Sequence, residues 1–194
     1  MKHLKIIIAL SITLIMFSGF WDNKTKKELR KERFIEQQFR IRMNNETLQL
    51  LYKYAPEAKR ELLKSYGYAT FSSTGVTVVL LSFEGGEGLA HNNRNGRNTY
   101  MNMKSGGLGL GLGAKDFRIV FLFENKKAFN NFIKSGWEAN AQADATAKYK
   151  TKGGTANSAV TVSKGVRLYK ITKDGLLLQA TLQGTKYSKD EKLN

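Results

Sequence analysis

Cysteine is absent from the 194-residue chain, and histidine and proline are nearly so, with two His and one Pro. Without cysteine there is no disulfide, no thiol nucleophile, no thiolate zinc site and no lipid-modified N-terminal cysteine. The two histidines, His3 and His91, lie far apart in the sequence, and His3 falls in a segment that has the pattern of a targeting signal. The composition therefore argues against catalysis by histidine or cysteine, and it predicts no metal site and no cofactor.

Acidic residues are scarce: 16 Asp and Glu accompany 32 Lys and Arg, which gives a formal charge of +16 at pH 7. The chain is still 41% hydrophobic and 11% aromatic, a content that highly charged disordered chains lack. Because domains average about 150 residues, the length predicts one folded domain, at most with an appendage. The basic excess indicates an anionic partner.

The N-terminus has the order of a secretory signal. Lys2 and Lys5 precede an apolar run at 6–17, and the small residues Ser18 and Gly19 follow it. A helix that crosses a bilayer needs about 20 apolar residues, so this run is short for a permanent span. We expect residues 1–19 to be a signal peptide, with retention as an anchor as the alternative. Either form exports the chain to the periplasm, the outer surface or the medium.

Residues 20–54 predict a basic amphipathic helical region of one helix or two. Phe34, Ile41 and Leu48 recur in it every seven positions, which is a helical spacing. Pro56 suits the first position of a further helix at 56–65, and Gly67 follows that helix.

From Tyr68 onward, apolar residues alternate with polar ones as they do in strands. This alternation predicts strands at 68–72, 76–83, 88–91, 99–104, 108–113, 117–123, 159–163, 166–172 and 176–182. One helix at 124–135, with Gly136 as its C-cap, interrupts them. The alternation of 137–147 favours a strand, with a helix as the alternative because alanine is frequent there. The predicted fold class is α+β: N-terminal helices, then a mostly antiparallel, glycine-rich β-sheet or partly closed barrel with one inserted helix.

Glycine alternates with leucine at 107–113. In a strand, Gly107, Gly109, Gly111 and Gly113 would share one face without side chains. The Gly-Lys-Ser/Thr ending of a P-loop is missing, and a strand follows where a dinucleotide fingerprint needs a helix. We interpret these residues as structural glycines on which a helix or a second layer packs closely, with an acyl-chain groove as the alternative.

Carboxylates suited to acid–base catalysis show no characteristic spacing. They are Glu84, Glu87, Asp116, Glu124, Glu138 and Asp144. The sequence therefore predicts that the protein is not an enzyme. The Gly-Gly-Glu-Gly cluster at 85–88 is typical of a bulge or a turn.

Basic residues concentrate in two stretches. Between 148 and 173 there is no acidic residue, and the basic ones are Lys148, Lys150, Lys152, Lys164, Arg167, Lys170 and Lys173. A secondary basic cluster, diluted by Glu28 and Glu32, consists of Lys24, Lys26, Lys27, Arg30, Lys31 and Arg33. Since each cation near an anionic membrane contributes about 1 kcal/mol, the first stretch predicts reversible binding of anionic phospholipid. The alternative is a basic surface that only keeps the protein soluble.

Nucleic acid is not expected, because no helix-turn-helix or RNP-type motif occurs and export removes the chain from most nucleic acid.

Several motifs occur in an order that resembles the SYLF-domain family. They are Tyr-Gly-Tyr-Ala-Thr-Phe at 66–71, Asn-Gly-Arg-Asn-Thr-Tyr-Met at 95–101, the glycine run at 107–113, Phe-Arg-Ile-Val-Phe-Leu-Phe-Glu at 117–124 and Ser-Gly-Trp-Glu at 135–138. The likeness spans about 56–187, which suggests a SYLF-like domain at 55–188 and a tail at 189–194. It implies a compact lipid-binding module. Eukaryotic members bind phosphoinositides and actin, and bacterial members are commonly exported single-domain proteins.

Together these observations predict an exported, non-enzymatic envelope protein that binds anionic phospholipid or a membrane surface. The alternative is a structural or protein-interaction module with an envelope protein as its partner. Actin binding follows only from the family resemblance.

Overall fold

The computed structural model describes residues 24–78, 81–108, 113–138, 159–172, 175–177 and 185–194. The chain divides into two units, Met1–Phe34 and Ile35–Asn194. The described residues of the first unit, 24–34, are exposed, and most of them belong to helix α1, Lys26–Tyr54. Thr25 and Glu28 form a capping box at its start: the Thr25 N–H donates to Glu28 Oε2 (2.7 Å) and the Glu28 N–H donates to Thr25 Oγ1 (3.3 Å). The described part of the predicted region thus forms a single helix from Lys26 to Tyr54.

Two shorter helices follow. Helix α2 is Ala58–Lys64, and it starts two residues later than predicted because Pro56 and Glu57 form a turn before it. Helix α3 is Lys126–Ser135, with Asn125 as N-cap and Gly136 as C-cap. Asn125 Oδ1 accepts a hydrogen bond from the Ala128 N–H (2.9 Å), and this satisfies one of the free donors of the first turn. The predicted helix and its C-cap are confirmed.

The described strands form one antiparallel sheet that curls into a half-barrel, so the α+β prediction is confirmed. The strands are β1 Gly67–Val78, β2 Leu81–Asn92, β3 Asn98–Leu108, β4 Gly113–Phe123, β5 Trp137–Glu138, β6 Val160–Ser163, β7 Val166–Thr172, β8 Gly175–Leu177 and β9 Thr185–Lys189. Their order is β5-β9-β3-β2-β1-β4-β7-β6, and β8 pairs with β7.

Both faces of this sheet are covered. On the inner face, Phe71, Phe121 and Tyr187 pack with Phe129 and Phe132 of α3 in an aromatic cluster. On the outer face, a second cluster joins the sheet to α1 and α2 and includes Leu51, Leu62, Tyr68, Val120, Leu122 and Tyr169. From Ile35 onward, α1 crosses the outer face, where Thr70 Oγ1 donates to Asn44 Oδ1 (2.8 Å).

The glycine cluster 85–88 is not a turn, because all four residues lie inside β2 in regular register with β1 and β3. Gly88 pairs with Phe71, and a Cβ at position 88 would overlap the Phe71 ring. The missing side chain thus makes room for the aromatic ring. The predicted strand at 76–83 is also incorrect: Val78 pairs with Leu81, so this stretch supplies the end of β1 and the start of β2.

The glycine-leucine run does not form one strand. Gly107 lies in β3, where it pairs with Ser82, whereas Gly113 lies in β4, where it pairs with Thr77. Two other strands separate β3 from β4 in the sheet. The prediction of one strand at 108–113 was wrong because the start of the run belongs to β3 and its end belongs to β4. Gly109 and Gly111 lie outside the described residues.

The C-terminal residues, expected as a tail, are packed against the domain. Lys189 ends β9, and Leu193 is buried at 4% exposure. The Asn194 amide donates to Tyr100 O (2.8 Å), while the Tyr100 N–H donates to Asn194 Oδ1 (3.0 Å). The sequence analysis did not predict β9, because it is short and carries two lysines.

Candidate functional site

The predicted basic stretch 148–173 is only partly described. Lys148, Lys150, Lys152 and Lys173 lie outside the described residues. Lys164 is exposed in the turn between β6 and β7. Arg167 and Lys170 both lie in β7, but their odd spacing puts them on opposite faces of the sheet.

The environments of these two residues differ accordingly. Arg167 lies on the outer face, where its guanidinium contacts the carboxylates of Glu61 (3.2 Å) and Glu124 (3.3 Å). Lys170 Nζ lies 4.0 Å from the centroid of the Phe117 ring, in a cation–π contact on the inner face. The described members of the stretch therefore do not form a single patch.

The secondary basic cluster lies in the first unit. Its members Lys24, Lys26, Lys27, Arg30, Lys31 and Arg33 are all exposed. Lys24 Nζ pairs with Glu32 Oε1 at 2.7 Å. Leu29 and Phe34, also exposed, add apolar side chains to the same helical segment.

A different group of cations comes together at one end of the sheet, in the second unit. Strand pairing defines this end: Gly67 pairs with both Asn92 and Phe123, and Phe123 also pairs with Val166. We call the exposed basic residues of the four segments that meet there the basic end. They are Lys64 at the end of α2, Arg94 and Arg97 in the β2–β3 turn, Lys126 and Lys127 at the start of α3, and Lys164.

Hydrogen bonds tie these four segments to one another. The Asn93 amide of the β2–β3 turn donates to Leu62 O of α2 (2.8 Å). The Tyr66 N–H, just after α2, donates to Phe123 O (2.7 Å). The Glu124 N–H donates to Gly165 O (3.0 Å), which ties the start of α3 to the β6–β7 turn. The basic end is therefore carried on a fixed frame.

Carboxylates of the described residues do not neutralise the basic end. Within the described ranges, none of its six side chains forms an ion pair. The nearby acids Glu61 and Glu124 instead pair with Arg167. Tyr169 Oη also donates to Glu61 (3.0 Å), and burial, followed by the charge of Glu61, raises the pKa of Tyr169. The six exposed charges therefore remain available to an external anion.

Lys126 and Lys127 stand where the fold itself disfavours them. They occupy the first turn of α3, which holds no acidic residue. The positive end of the helix dipole repels cations there by about 0.3–1 kcal/mol each. Their placement is consistent with a role in binding instead of in stability.

Of the other carboxylates considered for catalysis, the two whose side chains are described, Glu87 and Asp116, line different cavities. Glu87 lines a cavity of about 640 Å³ beside Arg40 and Asp190. Asp116 lines a separate cavity of about 400 Å³ beside Tyr54 and Arg118. Asp144 and the side chains of Glu84 and Glu138 lie outside the described part. Within the described part of the chain, no group of three or more His, Cys, Asp or Glu could hold a metal ion.

Sequence reasoning missed five of the six residues of the basic end, since it searched for cations that are close in sequence. A signal was nevertheless present. Lys64 and Lys126 lie beside the turn signals at 66–67 and 124–125, and Arg94 lies within the turn signal at 92–96. Alternate turns of an antiparallel sheet fall at the same end.

None of the helices that the structure describes has the length and hydrophobicity to cross a membrane.

No protein-family model matches the chain. A protein named beta cell expansion factor A, from Aeromonas veronii, is 37% identical to it over 143 residues. The match covers 74% of this chain and 53% of that protein, so the chain spans about half the length of this relative.

Proposed function

We propose that this protein binds the surface of membranes that contain anionic phospholipid, without enzymatic activity, and that the basic end is its contact. One observation carries the proposal: exposed cations from four separate segments meet at one end of the sheet, and the nearby acids are paired with Arg167. At about 1 kcal/mol for each cation near an anionic surface, six cations are sufficient for reversible attachment.

Two other groups of cations are separate proposed contacts with an anionic membrane. The secondary basic cluster, 24–33, supplies a second exposed group with the apolar side chains of Leu29 and Phe34. Lys148, Lys150, Lys152 and Lys173 remain proposed contacts from the sequence. Lys164 belongs to the basic end. Arg167 and Lys170 are engaged within the fold, so we do not count them among the lipid contacts.

We further propose that the protein is exported to the cell envelope and belongs to the SYLF-domain family. The motifs that resemble this family in the sequence support the second point. Three of them, at 66–71, 95–101 and 117–124, also supply residues to the segments around the basic end. Export supports lipid over nucleic acid as the source of phosphate, although both carry the same charge.

Vesicle co-sedimentation of the full chain tests this proposal. We expect binding at low salt to vesicles containing about one third phosphatidylglycerol, and weaker binding to pure phosphatidylcholine. A variant with Arg94→Gln, Arg97→Gln, Lys126→Gln and Lys127→Gln should bind the anionic vesicles about 1,000-fold more weakly, because the four lost cations contribute about 4 kcal/mol. A control with Lys53→Gln, Lys104→Gln, Lys186→Gln and Lys192→Gln loses the same charge from exposed positions outside the basic end.

The control should retain most of the binding. Equal losses in the two variants would contradict a localised contact, and equal binding to both kinds of vesicle would contradict the function. Tighter binding to duplex DNA than to vesicles at the same salt would favour nucleic acid as the partner. A protein partner that is retained at high salt, in the absence of vesicle binding, would favour the interaction module.

The relative from Aeromonas veronii suggests a second candidate function, the expansion of beta cells. The observation in its favour is 37% identity over 74% of this chain. Purified chain added to cultured beta cells should then raise the cell count. The variant that lacks the four charges tests whether this effect needs the basic end. An unchanged count at concentrations that saturate vesicles would contradict this candidate.

A further inference from the structure

Leu63 is the most exposed of the large apolar side chains identified on the surface of the described residues, at 67%. It lies in α2, whose buried face is formed by Ala58 (0%) and Leu62 (4%). These two residues fix the rotation of the helix, and Leu63 points away from the domain as a result. An isolated exposed leucine is common on proteins, so its surroundings decide what it signifies.

Cations surround Leu63 along the helix. Lys59 and Arg60 lie one turn before it, on the same side of α2, and Lys64 follows it directly. All three are exposed. A long apolar side chain among cations is the pattern by which interfacial helices combine burial in acyl chains with attraction to head groups.

The backbone that carries Leu63 is fixed to the basic end. Asn93 donates to Leu62 O (2.8 Å) and to Ser65 O (3.2 Å), the residues on either side of Leu63 and Lys64. Ser65 Oγ also donates to Leu62 O (2.6 Å). Leu63 is thus held in place before any membrane is met, and little ordering is needed on binding.

The other large exposed apolar residues differ in this respect. Leu29, Phe34, Ile35 and Phe39 all lie on α1, which is not one of the four segments of the basic end. The guanidinium of Arg42 lies over the Phe39 ring at 5.6 Å. Of those in the second unit, Ile35, Phe39 and Leu63, only Leu63 lies on a segment of the basic end.

We propose that Leu63 inserts into the acyl region of an anionic membrane while the surrounding cations contact the head groups. This inference rests on the proposed function. It adds to the contacts of the cations an apolar contact between Leu63 and the acyl chains, which salt does not screen. Binding therefore has two components, one that falls with salt and one that persists.

Tryptophan fluorescence tests the insertion directly. In the full chain, Leu63→Trp should give an emission shift to shorter wavelength with phosphatidylglycerol vesicles, after subtraction of the unaltered chain, which contains two tryptophans. Lipids brominated in the acyl chain should quench that emission. A second variant, Leu63→Ala, should bind about tenfold more weakly at about 0.5 M NaCl.

Ile35→Ala is the matched control, since Ile35 is also largely exposed and apolar but lies outside the basic end. It should leave binding at high salt unchanged. Vesicle binding without an emission shift, or an equal loss in both alanine variants, would overturn the insertion of Leu63 and leave the proposed function standing. Failure of the unaltered chain to bind any anionic vesicle would overturn both.

Discussion

Arg40 Nη2 lies 2.8 Å from Asp190 Oδ2, and this ion pair joins α1 to the C-terminal turn. Only 2% of the Arg40 side chain is exposed. The same guanidinium donates to Met101 O and to Asn102 Oδ1 of β3 and also contacts Glu36. One buried side chain therefore connects α1, the sheet and the C-terminus.

Replacing Asp190 should weaken the fold. Asp190→Asn leaves a buried guanidinium with less compensation, and we expect a loss of about 2–3 kcal/mol in the free energy of unfolding, measured in urea. Glu191→Gln is the control, because Glu191 is exposed and pairs only with Lys189. It should change stability by less than about 0.5 kcal/mol. Similar effects of both substitutions would contradict the role given to the Arg40–Asp190 pair.

Low pH should weaken the ion pair between Arg40 and Asp190. Burial raises the pKa of Asp190, but hydrogen bonds from Asn102 and the Lys192 backbone, with the Arg40 charge, outweigh burial and hold the pKa below its ordinary value of 3.8. A carboxyl whose pKa is lower in the folded state stabilises the protein above the unfolded pKa, and this contribution is lost as pH falls through the folded pKa. The free energy of unfolding should therefore decline below about pH 4. Urea titrations from neutral to acid pH should show a flatter decline for Asp190→Asn, and parallel curves would contradict this assignment.

Charge reversal at the start of α3 should separate stability from binding. Lys126→Glu and Lys127→Glu place carboxylates where the helix dipole favours them, so each should raise the free energy of unfolding by about 0.3–1 kcal/mol. The same changes should weaken sedimentation with anionic vesicles. Lys134→Glu, in the last turn of α3, should instead lower stability, because cations are favoured there. A loss of stability in the first two variants would contradict this account.

Two glycines of β2 offer a matched pair. In Gly88→Ala the new Cβ would overlap the Phe71 ring and lie 2.7 Å from Thr70 O, so we expect a loss of about 2–3 kcal/mol from overpacking. In Gly85→Ala the new Cβ meets nothing within 4 Å. That variant should equal or slightly exceed the unaltered protein in thermal unfolding. Equal destabilisation by both would show that backbone freedom, and not space, determines the choice of glycine.

Local patterns were sufficient for the helices and for much of the sheet. The periodicity of Ala128, Phe129 and Phe132, followed by Gly136, predicted α3. The extent of the long strands was harder to predict. Glycines at 85–88 are typical of turns, yet they lie inside β2. At Gly88 the Phe71 ring occupies the space that a side chain would need, and only the register between β1 and β2 reveals this.

The positive charge of the candidate site could be predicted from the sequence, but the residues that form the site could not. The basic excess predicted an anionic partner, and the density of cations at 148–173 predicted that stretch as the contact. Strand geometry separates Arg167 from Lys170, and two carboxylates from other elements contact Arg167. The basic end combines residues from Lys64 to Lys164, which only the pairing of strands brings together.

The hydrogen bonds that tie the four segments use backbone atoms and the Asn93 amide, and none of them uses a lysine or arginine of the basic end. The basic side chains can thus be changed without removing the hydrogen bonds that hold the four segments together. Each cation can be exchanged for glutamine or glutamate, which yields a series of surfaces graded from strongly positive to negative. Such a series would let membrane affinity be measured as a function of charge alone.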